Sequence, residues 1–329
     1  MTTVERAKLM SVLSRHRETI AANWEHAVAH TGYVPLSSSQ LRDRLTGWVE
    51  RARYTIEKLV YESQPGLLVT ALAYVPRGRP WPVPGVLVPR GHSENGKAAE
   101  TYQRVCAGLA GKGYFVLIYD PLGQGERTLY WNAGRGASDL GGCTAQHSYA
   151  GNQCFLLGIN LALYMVWDSI RSIDYLCTRR EVDPQRIAMA GNSGGGTNTA
   201  YTAPLDNRIK VAVSCCNVTT LWRRRRSWST GGAEQNLLGQ VPAGLDHADL
   251  LRLVAPRPVL VGSAALDYFP LAGARQSVEA ARDLYAALGV PQGRTASAPV
   301  RLGRCAAPAP VRRGPGHQWR GPLGARPTR

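Results

Sequence analysis

The chain lacks any apolar run approaching the length of a membrane span, and its opening stretch, MTTVERAKLMSVLSRHRETI, lacks the apolar core of a secretory leader. A cytoplasmic protein with no membrane partner is the expectation. It also lacks a Cys-x-x-Cys pair. Seven cysteines, an odd number, lie at irregular spacing from Cys106 to Cys305. That excludes a thiolate zinc ribbon and a disulfide framework, and reads as reduced thiols with no metal site. Beyond position 290 the chain has no acidic residue at all, against eight arginines. Half of the net charge of +16 therefore sits in this terminal tail. The remaining excess is spread thinly, and no nucleic-acid motif accompanies it, so no nucleic-acid partner is expected.

What is present is enough apolar material, 44% of 329 residues, for one large α/β domain with an extension. Residues 3–30 and 39–53 read as helices, which makes residues 1–52 a helical N-terminal extension. The period then changes. Residues 54–61 and 67–75 are rich in β-branched and aromatic residues around Gln64-Pro65-Gly66, which predicts a hairpin. Short apolar strands follow at 85–88, 114–119, 186–190, 209–215 and 258–262. Helices are predicted at 97–111, 155–177, 195–203 and 274–288, with a long glycine-bearing loop over 123–151. A hairpin followed by strands alternating with helices predicts a mostly parallel sheet covered on both faces. Ligands on such sheets bind where the strands end.

One strand end stands out. Gly191-Asn192-Ser193-Gly194-Gly195 follows an apolar run and precedes a helix-compatible segment. G-x-S-x-G in that context presents a serine on a strained turn, with small neighbours where backbones pass closely. Ser193 is the candidate nucleophile, the alternative being a plain glycine loop. The N–H of Gly194 is one candidate oxyanion donor. The N–H of His92 or Ser93, in the loop after the strand at 85–88, is the other. Asp267, in the loop after the strand at 258–262, is the candidate acid; the alternative is a turn or cap aspartate.

Together Gly91-His92-Ser93-x-x-Gly96-Lys97, the segment 119–127 (YDPLGQGER), Gly191–Thr197, the segment 246–249 (DHAD) and Asp267-Tyr268-Phe269-Pro270 resemble the α/β-hydrolase superfamily. Within it they resemble the acetylxylan-esterase-like and dienelactone-hydrolase-like branch, which adjoins the prolyl-oligopeptidase-type hydrolases. The likeness covers about residues 54–290. It implies hydrolysis of a carboxylic ester through an acyl-serine, with a small-molecule ester as partner and no metal or organic cofactor. A peptidase or lactone hydrolase would use the same groups.

The family order of serine, acid and histidine requires a histidine after Asp267, and only His317 lies there. The family expects a strand and then His-Gly; here residues 291–329 carry seven prolines and no clear strand or helix. Either His317 reaches the site on an irregular tail, or the tail is an altered reading frame and the chain is catalytically impaired. His247 is a weaker substitute, better suited to supporting a loop. His147, in the glycine-bearing loop, is a pocket candidate. Residues 217–250 read as a cap, in which Trp222 and Trp228 flank four arginines. That run is either a sugar- or anion-stacking surface or a solvated basic loop. Oligomeric state is not legible.

Overall fold

The computed structural model describes residues 53–227 and 231–290, together with a strand at 295–299. The helical extension at 1–52, Trp228 and His317 lie outside the described residues. The first two strands, β1 (Tyr54–Gln64) and β2 (Leu67–Pro76), form the expected antiparallel hairpin. Gly66 takes φ 79° in its turn, a conformation that L side chains resist. β1 alternates between exposed and half-buried residues, as an edge strand does.

Inside the sheet the alternation disappears. β3 (Val83–Pro89) and β4 (Phe115–Tyr119) are apolar on both faces because helices cover both. β5 (Val182–Asn192), β6 (Ile209–Cys215), β7 (Val259–Ser263) and β8 (Thr295–Pro299) complete an eight-stranded sheet in the order β1-β2-β4-β3-β5-β6-β7-β8. β2 pairs antiparallel with β1 and β4, and every other pairing is parallel. Helix α1 (Glu100–Gly111) packs Cys106 and Ala110 on one face, against Val86, Val88, Val116 and Ile118. The opposite face carries the larger core: Leu87, Leu117, Met189 and Val261 meet Ile173 and Leu176 of α3 (Leu161–Thr178).

Two elements depart from expectation. Helix α2 (Cys143–Leu156) occupies part of the segment read as a glycine-bearing loop. Its buried positions include Gln146 and His147, so polar residues fall where a helical period calls for apolar ones. The tail, read as lacking a strand, supplies β8, which pairs in parallel with β7 from Thr295↔Val259 to Pro299↔Ser263. Its sequence, TASAP, has no large apolar residue to announce it. Pairing of this kind rests on main-chain hydrogen bonds, which need no particular side chain, and proline is tolerated on such an edge. Among the described residues no single helix is long and apolar enough to cross a membrane. The thiols of Cys106, Cys143, Cys154, Cys177 and Cys215 are free.

Candidate active site

Parallel pairing brings the carboxyl ends of β3, β5, β6, β7 and β8 to one edge. At that edge β5 hands over to α4 (Gly194–Leu205) through Ser193, at φ 56° and ψ −121°. A β-carbon at positive φ is costly, so the turn must be held from outside. The Ser193 N–H donates to Cys215 O at 2.8 Å, and Thr197 N–H donates back to Ser193 O at 2.9 Å. Glycines let the neighbours close in. A Cβ on Gly191 would lie 2.1 Å from Gly195 O, and one on Gly195 would lie 2.1 Å from Pro89 O. The requirement for small flanks is thus a packing fact here, and the serine side chain is left half-buried rather than sealed.

The loop after β3 lies directly against this turn. A Cβ on Gly91 would come within 3.0 Å of Ser193 Cβ, and one on Gly194 within 3.3 Å of His92 Cε1. The loop's main-chain donors are mostly committed. Gly91 N–H donates to Tyr102 Oη at 2.8 Å, and Ser93 N–H donates to Gln124 Oε1 at 3.0 Å. Ser93 therefore has no N–H to offer an oxyanion, which removes one of the two expected candidates. The His92 N–H has no acceptor among the described residues. Its residue lies against the first turn of α4, whose N–H groups also lack intrahelical acceptors.

Buried side chains fix that loop. The Arg90 guanidinium donates to Ser93 O at 3.0 Å and to Gln124 Oε1 at 2.7 Å. Asp120, fully buried after β4, accepts from Lys97 N–H at 2.6 Å, Lys97 Nζ at 2.5 Å and Thr70 Oγ1 at 2.8 Å. Gly96 and Gly125 fit around its carboxylate, where any Cβ would collide with it. Asp120 thereby organises the loop after its strand. Asp168 is buried against Arg127 Nη1 at 2.6 Å.

Asp267 lies in the loop after β7, half-buried. Its carboxylate accepts from Phe269 N–H at 3.2 Å and, at the limit of hydrogen bonding, from Ala264 N–H at 3.5 Å. These bonds turn it back over the strand end. β7 is two strands from β5, a separation on the order of 10 Å. The chain leaves β8 at the same edge, beyond β7. His317, the expected base, follows that strand and lies outside the described residues.

His247 supports a loop and a helix start, as its position suggested, and does not line an open pocket. It is buried at the start of α6 (His247–Val254), with Nδ1 2.8 Å from Thr219 O, and burial lowers its proton affinity. His147 sits on α2 rather than in a loop, and is fully buried. Its Nε2 lies 2.7 Å from Leu122 O and its Nδ1 lies 3.0 Å from His92 Nε2. Glu234, which sequence reasoning missed, completes this group from the short turn Ala233–Gln235: its oxygens lie 3.0 Å from His92 Nε2 and 3.4 Å from His147 Nδ1. A glutamate in a glycine-rich turn gives no sequence signal of its own. The signal lies in Gly151, one helical turn after His147, whose missing Cβ admits Ala233.

The segment read as a cap contains helical structure among its described residues. Residues Leu221–Arg226 form the short helix α5, on which Arg224 is buried and donates to Asn236 Oδ1 at 2.9 Å. Trp222 is exposed, with the Arg226 guanidinium 5.5 Å from its ring centroid. Trp222, Arg226, Pro270 and Gln276 help line a cleft of about 610 Å³ beside the Asp267 loop.

Comparison with known proteins follows the same lines. No family model matches the chain. A curated relative, "Putative hydrolase YtaP" of Bacillus subtilis, is 34% identical over 109 residues, which is 33% of this chain and 31% of that protein. Among solved structures, "Methylesterase BT1017" has a TM-score of 0.57 and 26% identity, over 72% of this chain and 48% of the other. A structure titled as a putative acetyl xylan esterase from Bacteroides fragilis has a TM-score of 0.60 at 19% identity, over 76% and 67% respectively. The chain thus spans about a third of the curated relative and about half of the methylesterase. Strand order and these likenesses give the chain an α/β-hydrolase fold, and these two solved structures carry esterase names.

Proposed function

We propose that the protein is a serine hydrolase of carboxylic esters, acting on a small acyl group carried by a carbohydrate or other alcohol. The observation that carries this reading is Ser193 at φ 56°, ψ −121° between β5 and α4. A hydroxyl held on such a turn, at the N-terminus of a helix, faces N–H groups suited to a developing negative charge. Ser193 Oγ attacks the ester carbonyl while its proton passes to a histidine base. The N–H groups of Gly194 and His92 hold the oxyanion. Collapse breaks the acyl–oxygen bond, and the departing alkoxide takes the proton. Water then adds to the acyl-serine by the same route and releases the acid.

Asp267 orients the base and stabilises its cation, and His317 is the base in this scheme. The ester chemistry is supported by the names of the methylesterase and the acetyl xylan esterase to which the chain is similar. Trp222, exposed beside the cleft, offers a face on which a sugar ring can stack. We also place the protein in the cytoplasm, acting without a nucleic-acid or membrane partner.

The test is hydrolysis of an ester panel, with fluorophosphonate labelling, by wild type, Ser193→Ala and His317→Ala. Wild type should label. Ser193→Ala should lose labelling and some 10⁴- to 10⁶-fold in kcat. Undiminished turnover by Ser193→Ala would refute the reading. Equal turnover by wild type and His317→Ala would remove the tail histidine from the mechanism.

A further inference from the structure

We propose that His92 Nε2, His147 Nδ1 and the Glu234 carboxylate form a binding site for one zinc ion behind the active-site turn. The three residues come from separate elements: the loop after β3, helix α2 and the turn Ala233–Gln235. Their ligand atoms all lie within 4.8 Å of one another. Two imidazoles and a glutamate are a donor set that zinc accepts in a three-ligand site with an open fourth position. Zinc bonds of about 2.0–2.1 Å in a tetrahedron put neighbouring ligand atoms about 3.3 Å apart. The separations here are 3.0 Å between the imidazoles, 3.0 Å from His92 to Glu234 and 3.4 Å from His147 to Glu234.

Proton accounting disfavours a simple hydrogen-bonded cluster. His147 Nε2 faces the carbonyl oxygen of Leu122, which can only accept, so the neutral ring carries its proton there. Its Nδ1 then presents a lone pair. His92 Nε2 has at most one proton to share among that lone pair and two carboxylate oxygens. Neither Glu234 oxygen has a hydrogen-bond partner of acceptable geometry, although the residue is only 4% exposed. A buried carboxylate left in that state is costly. A divalent ion takes one lone pair from each group and removes the deficit. The Leu122 carbonyl then does what outer partners of metal-bound histidines do, fixing tautomer and ring plane.

The site is also held in shape. Gly151 lets α2 close on Ala233, and Gln235 Nε2 donates to Thr197 Oγ1 of α4 at 3.0 Å. Arg90 and Gln124 clamp the His92 loop from the other side. The Cε1–Nδ1 edge of the His92 ring faces Gly194. The ion would thus hold the loop that packs against the turn at Ser193, as a positioning element and not as the source of the nucleophile. The binding site itself stands whether or not Ser193 is the nucleophile. The expectation of no metal rested on cysteine spacing and on the family resemblance, neither of which speaks to residues 92, 147 and 234.

The experiment uses tag-free full-length protein stripped with a chelator and dialysed. Wild type, Glu234→Gln, His147→Gln and His92→Gln are titrated with zinc chloride by calorimetry. Cobalt(II) is added separately to read its visible ligand-field bands, and far-UV circular dichroism checks folding. Wild type should bind one equivalent of zinc, give cobalt bands of a four- or five-coordinate site, and lose both in every folded variant, with affinity down at least ~100-fold. No stoichiometric binding by wild type overturns the proposal, whatever the variants do. So does equal binding by a folded Glu234→Gln and wild type, since zinc is then held elsewhere. If a buried-site variant fails to fold, His92→Gln, on the half-exposed loop, makes the same decision.

Discussion

Asp120 and Glu234 are both buried carboxylates, and both touch the loop that carries His92. Asp120 is surrounded by cations and donors: Lys97, Arg90, Thr70 and two main-chain N–H groups, those of Lys97 and Glu126. Glu234 has two imidazoles and no well-made hydrogen bond. The first is saturated, so nothing further can bind it, and its whole effect is to fix two loops. The second has lone pairs to spare at a place already shaped by its neighbours. Saturation marks scaffold, and a pre-shaped deficit marks a site that takes something up.

The largest expected effect comes from breaking the saturated cluster. Asp120→Ala removes the buried carboxylate between Arg90 and Lys97, leaving Arg90 without its counter-charge and Lys97 with only the exposed Glu126. It should cost about 3–5 kcal/mol of stability, read from urea unfolding at neutral pH. A loss below about 1 kcal/mol would mean that the pair is hydrated and that the contrast with Glu234 is overstated. The next effect is smaller and depends on zinc. Without metal, Glu234→Gln should lie within about 1 kcal/mol of wild type, because an amide restores donors to an acceptor-rich pocket. With free zinc at about 100 times its Kd, wild type should gain about 2.7 kcal/mol and the variant nothing. Thermal unfolding with zinc or with chelator reads both. Equal gains by the two proteins would erase the distinction between the clusters.

The same contrast explains what was legible in the sequence. The sheet was legible because its strands are short apolar runs between turn residues, and the turn at Ser193 because glycines must flank it. The candidate acid was legible by its place after a strand. Helix α2 was not, since Gln146 and His147 are buried by polar partners and break the apolar period. β8 was not, since five small residues joined to β7 by main-chain pairing carry no pattern. Glu234 was invisible for a related reason: residues 92, 147 and 234 meet only after three segments have folded. Sequence periodicity records what is buried because it is apolar. It is silent about what is buried because it is partnered.

His247 supplies the smallest and most specific check. It is a buried titratable group whose ring contacts are to main chain, Nδ1 lying 2.8 Å from Thr219 O and 3.2 Å from Thr219 N. On the saturation argument it is scaffold. Burial is the largest influence on the ring and lowers its pKa from the ordinary value of 6.5; the bond to Thr219 and nearby Asp246 oppose this, and Arg224 reinforces it. Below about pH 6.5 the unfolded chain therefore takes up a proton that the folded chain resists. Its contribution to stability is complete above that pH and is lost as pH falls toward the lower folded value. The slope cannot exceed about 1.4 kcal/mol per pH unit for one proton. His247→Asn should flatten this part of the stability curve between pH 7.5 and 5.5, measured against wild type by urea unfolding, while ester turnover at pH 7.5 stays unchanged. An unaltered slope would mean that the ring is protonated in the fold. A large loss of turnover would move His247 from scaffold to site, and saturation would no longer separate the two.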